Sequence, residues 1–199
     1  MYVERGDILN NKDNIEIEFK SQLSKEEYDT IKNYYKENFL KDDSDKPTSR
    51  VVHYFDTENM DFLNNGETFR IVFNNDQVDA VMETKKKVKI LFKDCLKETS
   101  KIITRDKFVE YKRDGIDYNG AKLVYQTVIW NTRLSFPFLN GEAFLDMVLF
   151  ANGKEEYELE FEVQDVEDGQ SEFNTLLDKF NLTLTPVSSK YSRAIKNRA

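Results

Sequence analysis

Glu16-Ile17-Glu18-Phe19-Lys20 sets two carboxylates and an ammonium against two large apolar side chains in strict alternation. A β-strand turns successive side chains to opposite faces, so Glu16, Glu18 and Lys20 share one face and Ile17 and Phe19 the other. A hard divalent cation takes clustered carboxylate oxygens, and a phosphate chain takes cations beside the metal. A second acidic row comes late in the chain, where Glu156, Glu158, Glu160 and Glu162 alternate with Tyr157, Leu159, Phe161 and Val163. One such row alone reads as the solvated face of a half-exposed strand. Same-face neighbours lie about 7 Å apart, so they repel by about 0.6 kcal/mol in water and about 2.4 kcal/mol at an effective dielectric of about 20. A solvated face gains by mixing its charges, however, and consecutive glutamates do not mix them. Two rows, one ending in Lys20, point to one enclosed space where a cation offsets the repulsion. Mg2+ or Mn2+ suits an all-oxygen site.

Around these rows the chain reads as short strands and a few helices. Residues 1–13 carry no clear periodicity and read as an N-terminal arm to a single domain over 14–199. Asn14–Leu23 is the first strand. Ser24 with Glu27 three residues on is a capping-box pattern, and Tyr28, Ile31, Tyr35 and Phe39 follow at helical spacing. Further strands are expected over Arg50–Asp56, Thr68–Phe73, Val78–Lys85, Leu123–Phe136, Ala143–Phe150 and Glu155–Val166, with an irregular one near Lys97–Ile103. Asn64-Asn65-Gly66 and Asn152-Gly153 mark turns. Arg105–Arg113 reads as a short helix, and Phe173, Leu176, Leu177 and Phe180 define another. Val187–Arg198 reads as strand or helix with a basic face. The lysine-rich stretch Lys86–Cys95, with Ile90-Leu91-Phe92 inside it, looks like an insertion or a diverged strand. Roughly eight strands joined mainly by hairpins, with about two good helices, give an α+β, mainly β fold. An eight-stranded antiparallel closed barrel with outer helices buries the apolar faces and removes edges.

Composition narrows the chemistry. With 199 residues, 39% hydrophobic and 33% charged, the chain makes one highly charged globular domain. No apolar run spans a bilayer, no signal-peptide core precedes the first strand, and Cys95 has no partner for a disulfide, so the expected location is cytoplasmic. A net charge of −8 disfavours an extended nucleic-acid surface and leaves a small polyanion in a locally basic site. His53 is the sole histidine, which disfavours Ser-His-Asp and Cys-His sites and excludes a histidine-rich zinc site. His53 reads as a packed strand residue, Cys95 as a small apolar residue or loop thiol, Trp130 and the other aromatics as core, and Lys85–Lys89 as a solvated run. Seven glycines supply no phosphate-cradling loop.

The order of the motifs resembles the CYTH superfamily, or triphosphate tunnel metalloenzymes. That group includes class IV adenylyl cyclases, thiamine triphosphatases and inorganic triphosphatases. Glu16-Ile17-Glu18-Phe19-Lys20 is similar to its Glu-x-Glu-x-Lys strand, and His53-Tyr54-Phe55-Asp56-Thr57 to its Tyr-Phe-Asp-Thr strand end. Phe69-Arg70-Ile71 resembles Leu-Arg-Ile-Arg, Lys85 a Thr-Leu-Lys lysine, and Asn131-Thr132-Arg133 the segment carrying a later phosphate-binding arginine. Leu145-Asp146, Tyr157–Glu162 and Ser189-Lys190-Tyr191-Ser192-Arg193 complete a resemblance over about residues 14–196.

The resemblance implies a tunnel with a polar lumen. Glu16, Glu18, Asp146, Glu158, Glu160 and Glu162 would bind one or two divalent metals, and Lys20, Arg70, Lys85, Arg133, Lys190 and Arg193 would grip a triphosphate or polyphosphate. Glu158, Glu160 and Lys20 would carry catalysis. Two departures stand out: Val72 replaces the second arginine, and Glu83 shares a face with Lys85. The implied activity is metal-dependent triphosphate hydrolysis. The alternatives are a cyclase making cyclic AMP from ATP, a non-catalytic polyphosphate-binding domain, and a structural β-protein with solvated acidic strands. The protein would act as a monomer or homodimer.

Overall fold

The alternation of the first strand is what closes the fold. The computed structural model describes residues 14–41, 46–75, 77–90, 93–163 and 166–199. In chain order they form β1 (Asn14–Leu23), α1 (Lys25–Asn38), β2 (Thr48–Asp56), α2 (Asp61–Asn64), β3 (Glu67–Asn74), β4 (Ala80–Ile90), β5 (Lys93–Ile103), α3 (Arg105–Asp114), β6 (Ile116–Tyr118), β7 (Ala121–Phe138), β8 (Gly141–Phe150), β9 (Glu155–Val163), α4 (Val166–Lys179) and α5 (Lys190–Lys196). Eight strands pair antiparallel in the order β2-β3-β4-β5-β1-β9-β8-β7, and β7 pairs back onto β2, so the sheet returns on itself as a ring. The ninth, β6, pairs with β7 alone.

Apolar outer faces hold the helices. Ile17 and Phe19 of β1 and Leu159 and Phe161 of β9 bury against Tyr28 and Ile31 of α1 and Phe173 and Leu176 of α4. Each such side chain contributes roughly 1.5–3 kcal/mol by leaving water. Phe55, Phe69, Ile71 and Leu123 form a second outer cluster, with Phe108 and Tyr111 of α3 packed on it. A third cluster lies on the inner face: Val52, Tyr54, Val72, Ile129 and Val148 meet Tyr191 and Ala194 of α5. Tyr191 also stacks on Tyr54 and donates its hydroxyl to Asp56 at 2.8 Å. Charged inner faces thus end on an apolar layer that α5 covers.

One seam of the ring is short. β1 pairs with β5 only from Asn14↔Glu98 to Glu16↔Leu96, whereas its pairing with β9 runs from Ile17 to Leu23. Beyond that seam the segment before α5 takes over. The Gln22 amide donates to the Thr185 carbonyl at 2.8 Å, and the Thr185 amide donates to Ser21 Oγ at 2.9 Å.

Several details differ from the sequence reading. Of the two readings of Lys86–Cys95, an insertion or a diverged strand, the described residues take the second: they belong to a β4–β5 hairpin in register from Ala80↔Ile103 to Ile90↔Lys93, with Leu91 and Phe92 outside the described residues. β9 stops at Val163, and Val166 begins α4. The C-terminal stretch resolves to helix, with Ser189 Oγ accepting from the Ser192 amide. There are five helices among the described residues instead of two, and β6 adds a strand too short to carry a periodicity. Trp130, expected in the core, is 45% exposed, since alternation turns it away from the inner face that its neighbours Ile129 and Asn131 share. The arm over 1–13 lies outside the described residues.

Candidate functional site

Alternation brings every residue in the acidic and basic sets except Lys190 and Arg193 to one inner surface, and α5 delivers those two. Glu16, Glu18 and Lys20 come from β1, Arg70 from β3, Lys85 from β4, Arg133 from β7, Asp146 from β8, and Glu158, Glu160 and Glu162 from β9. They interlock. Lys20 lies 2.6 Å from Glu18 and 3.9 Å from Glu160. Lys85 bridges Glu16 at 2.6 Å and Glu98 at 3.0 Å. Arg70 Nε donates to Glu83 at 2.6 Å. Arg133 forks onto Asp146 at 2.7 and 2.6 Å and also donates to Glu160. Lys190 reaches Asp146 and Glu160, both at 2.8 Å, and Glu158; Arg193 joins Glu156 at 2.7 Å to Glu158.

The carboxylates fall into two triads whose oxygens lie within 4.8 Å of one another, Glu16-Glu18-Glu162 and Asp146-Glu158-Glu160. They differ in compensation. Burial would raise Asp146, but Lys190 and Arg133 hold it well below the usual carboxylate range. In the half-buried triad, Glu162 has no ion-pair partner among the described residues. Burial, then the charge of Glu16, pushes its carboxyl up to about 7. Glu98 is likewise raised by burial and by its hydrogen bond with Glu16. In the first triad Lys85 and Lys20 pair Glu16 and Glu18 and leave Glu162 uncompensated, whereas every carboxylate of the second has a cation.

A family model described as the CYTH domain matches residues 14–195. The chain belongs to the CYTH domain family. Among solved structures, a Bacillus halodurans protein proposed to be an adenylate cyclase has a TM-score of 0.74 and 20% identity, over 90% of this chain and 97% of that one. A Hippeastrum protein proposed as an adenylyl cyclase, with a dominant triphosphatase activity, has a TM-score of 0.71 and 16% identity, over 93% and 96% of the two chains. A Pyrococcus horikoshii protein has a TM-score of 0.60 and 16% identity, over 92% and 99%. At these identities the likeness is one of fold. A search of the curated proteins gives no match.

In this CYTH domain the charged surface opens into two adjoining cavities. The narrower, about 210 Å3, is lined by Arg50, Arg70, Lys85, Asn131, Arg133 and Glu162 among others. The wider, about 590 Å3, adds Leu63, Leu96 and Val187 to Lys20 and Lys190, beside the short β1–β5 seam. No helix among the described residues is long and apolar enough to cross a membrane. Sequence reasoning missed three participants: Glu98 and Arg50, and Glu156 as a partner of Arg193. Counting alternate residues back from Tyr54 reaches Arg50, and pairing β5 with β1 reaches Glu98. The missing cation at Val72 has a plain structural basis, since that side chain is 3% exposed within the inner apolar layer.

Proposed function

We propose that this CYTH domain hydrolyses a triphosphate inside its ring with the help of a divalent metal. One observation carries the reading: an undercompensated carboxylate triad and a set of arginines and lysines line the same enclosed surface. The chemistry of the donors fits a hard cation, because Glu16, Glu18 and Glu162 offer only oxygens and Glu162 lacks a partner among the described residues. Mg2+ or Mn2+ held there would neutralise phosphate oxygens and acidify water. Asp146, Glu158 and Glu160 form a second such group, already occupied by Lys190 and Arg133.

The chain's own groups do the remaining work. Arg70, Arg133, Lys85 and Lys190 hold phosphate oxygens, with the arginines able to grip two at once. Lys20, between Glu18 and Glu160, meets charge developing on the phosphoryl group. Burial pushes Glu160 up, which suits it to accept a proton from the attacking water; Glu158 is the other base candidate. The wider cavity, with Leu63, Leu96 and Val187, favours an organic triphosphate over the inorganic chain.

Phosphate release from inorganic tripolyphosphate and from ATP, with Mg2+ and with Mn2+, tests this. Orthophosphate with ADP supports hydrolysis, cyclic AMP with pyrophosphate supports a cyclase, and binding without turnover supports a polyphosphate-binding domain. No binding and no turnover would overturn the reading.

A further inference from the structure

Arg50 begins the inner face of β2, with Val52 and Tyr54 following at alternate positions. It lines the narrower cavity beside Arg70, Arg133 and Lys85. The other inner-face arginines are neutralised: Arg70 by Glu83, Arg133 by Asp146 and Glu160, Arg193 by Glu156 and Glu158. Among the described residues Arg50 has no carboxylate at ion-pair distance. An amide holds it instead. With the Asn131 side chain turned to satisfy its neighbours, its oxygen accepts from Nε and Nη2 of Arg50, each at 3.3 Å, and its nitrogen donates to the Met147 carbonyl at 3.1 Å. An amide oxygen fixes the fork without cancelling its charge. Burial, then the charges of Arg133 and Arg70, lower the Arg50 pKa, with Asp146 and Glu160 acting the other way from a distance. A guanidinium in that position is costly until an anion joins it.

We infer that Arg50, positioned by Asn131, is a substrate-binding residue whose uncancelled charge and remaining N–H groups take the terminal phosphoryl group of the substrate in the narrower cavity. The inference rests on the triphosphate reading of the lumen and deepens it. Val52 of β2 pairs with Val72 of β3, and Arg50 is the next inner-face position along β2, so the cation absent at Val72 is supplied from the neighbouring strand. The charge-lined narrower cavity suits a phosphoryl group, and the wider one an organic substituent. The substrate therefore binds with its free phosphate end at Arg50 and its organic end toward Leu63 and Val187.

The test is calorimetric titration of the full chain with inorganic tripolyphosphate in a chelator, free of metal, alongside cyclic trimetaphosphate, which has no terminal phosphoryl group. Arg50→Met should weaken tripolyphosphate binding about tenfold to a hundredfold and leave trimetaphosphate binding nearly unchanged. Arg50→Lys, which keeps the charge and loses the fork, should fall between. Asn131→Asp, which sets a carboxylate against the fork, should also weaken tripolyphosphate binding, and it carries the test if Arg50→Met does not fold. The unliganded Arg50→Met protein should melt no lower than wild type, whereas a purely structural arginine would lower the melting point on removal. Tripolyphosphate affinity within about twofold of wild type in both Arg50→Met and Asn131→Asp overturns the inference alone. Wild-type protein that neither binds nor hydrolyses tripolyphosphate or ATP overturns this inference and the proposed function together.

Discussion

Glu162 is where the charge balance of the ring is least settled. Its carboxyl, raised from an ordinary 4.5 to about 7 by burial and by Glu16, holds its proton more tightly in the folded than in the unfolded chain. Stability is then fully present below pH about 4.5 and is lost as pH rises toward 7. After allowance for solvent the loss is about 1–2 kcal/mol. Glu162→Gln should raise the metal-free melting point at pH 8 and flatten its decline between pH 5 and 7.5. Mn2+ should stabilise wild type more than the variant, and equal responses in calorimetric melts would remove Glu162 from the metal site. Glu18 and Glu160 separate in another way. Glu18→Ala should abolish turnover with the fold intact. Glu160→Ala should abolish it too, but at a cost of about 3–5 kcal/mol, because Arg133 and Lys190 lose a buried partner. Activity assays with urea melts distinguish the two. Single residues were legible wherever alternation was anchored by a motif, as for Glu158 and Arg70. Arg50 lay within reach of the alternation from Tyr54 but outside the motif that anchored it, and Glu98 escaped because its place depends on which strands meet across the ring, which no local pattern encodes.

The elements themselves followed largely from local physics. The capping box at Ser24 forms in both directions: Ser24 Oγ accepts from the Glu27 amide at 3.2 Å, and the Ser24 amide donates to Glu27 at 2.7 Å. Ser24→Ala should cost about 1 kcal/mol in a urea melt with turnover unchanged. On β2, His53 packs among Phe73, Phe108 and Tyr125, with its Nδ1 unbonded. Burial, then the nearby charge of Lys112, pulls it down to about 4 from 6.5. Stability from this site is present above pH 6.5 and lost as pH falls toward 4, by about 1–2 kcal/mol once solvent access is allowed for. His53→Phe should remove that loss. It opposes the Glu162 effect over part of the range, so the difference between variant and wild type isolates it. Where the sequence misled, a tertiary cause is visible. The lysine-rich β4–β5 hairpin is held by cross-strand partners such as Thr84 and Thr99, whose hydroxyls lie 2.6 Å apart, and not by an apolar periodicity. Trp130 lies on the outer face of β7 and stays 45% exposed there, which an aromatic side chain in the sequence does not announce.

At the scale of the molecule the ring is held together by charges that only its last helix completes. α5 contributes Lys190 to Asp146, Glu158 and Glu160, Arg193 to Glu156 and Glu158, and Tyr191 to the inner apolar layer. A chain stopped after Ser189 would keep every strand yet leave Glu158 buried without a cation and Asp146, Glu156 and Glu160 each with fewer. It should therefore fail to fold at pH 7 and recover part of its near-ultraviolet circular dichroism near pH 5, where the carboxylates take up protons. Lys190→Met makes the same argument more sharply, because it removes one charge and leaves the helix. It should cost about 3–5 kcal/mol in a chelator. It also strips Asp146, Glu158 and Glu160 of a shared partner, so that triad becomes, like Glu16-Glu18-Glu162, a carboxylate group short of positive charge. Mn2+ should then raise the melting point of Lys190→Met further than it raises that of wild type, as the ion takes the place of the ammonium. An equal or smaller rise would show that Lys190 does not hold the second triad in a metal-ready arrangement. In that case only the triad built from the first and last strands of the chain, β1 and β9, would hold a metal.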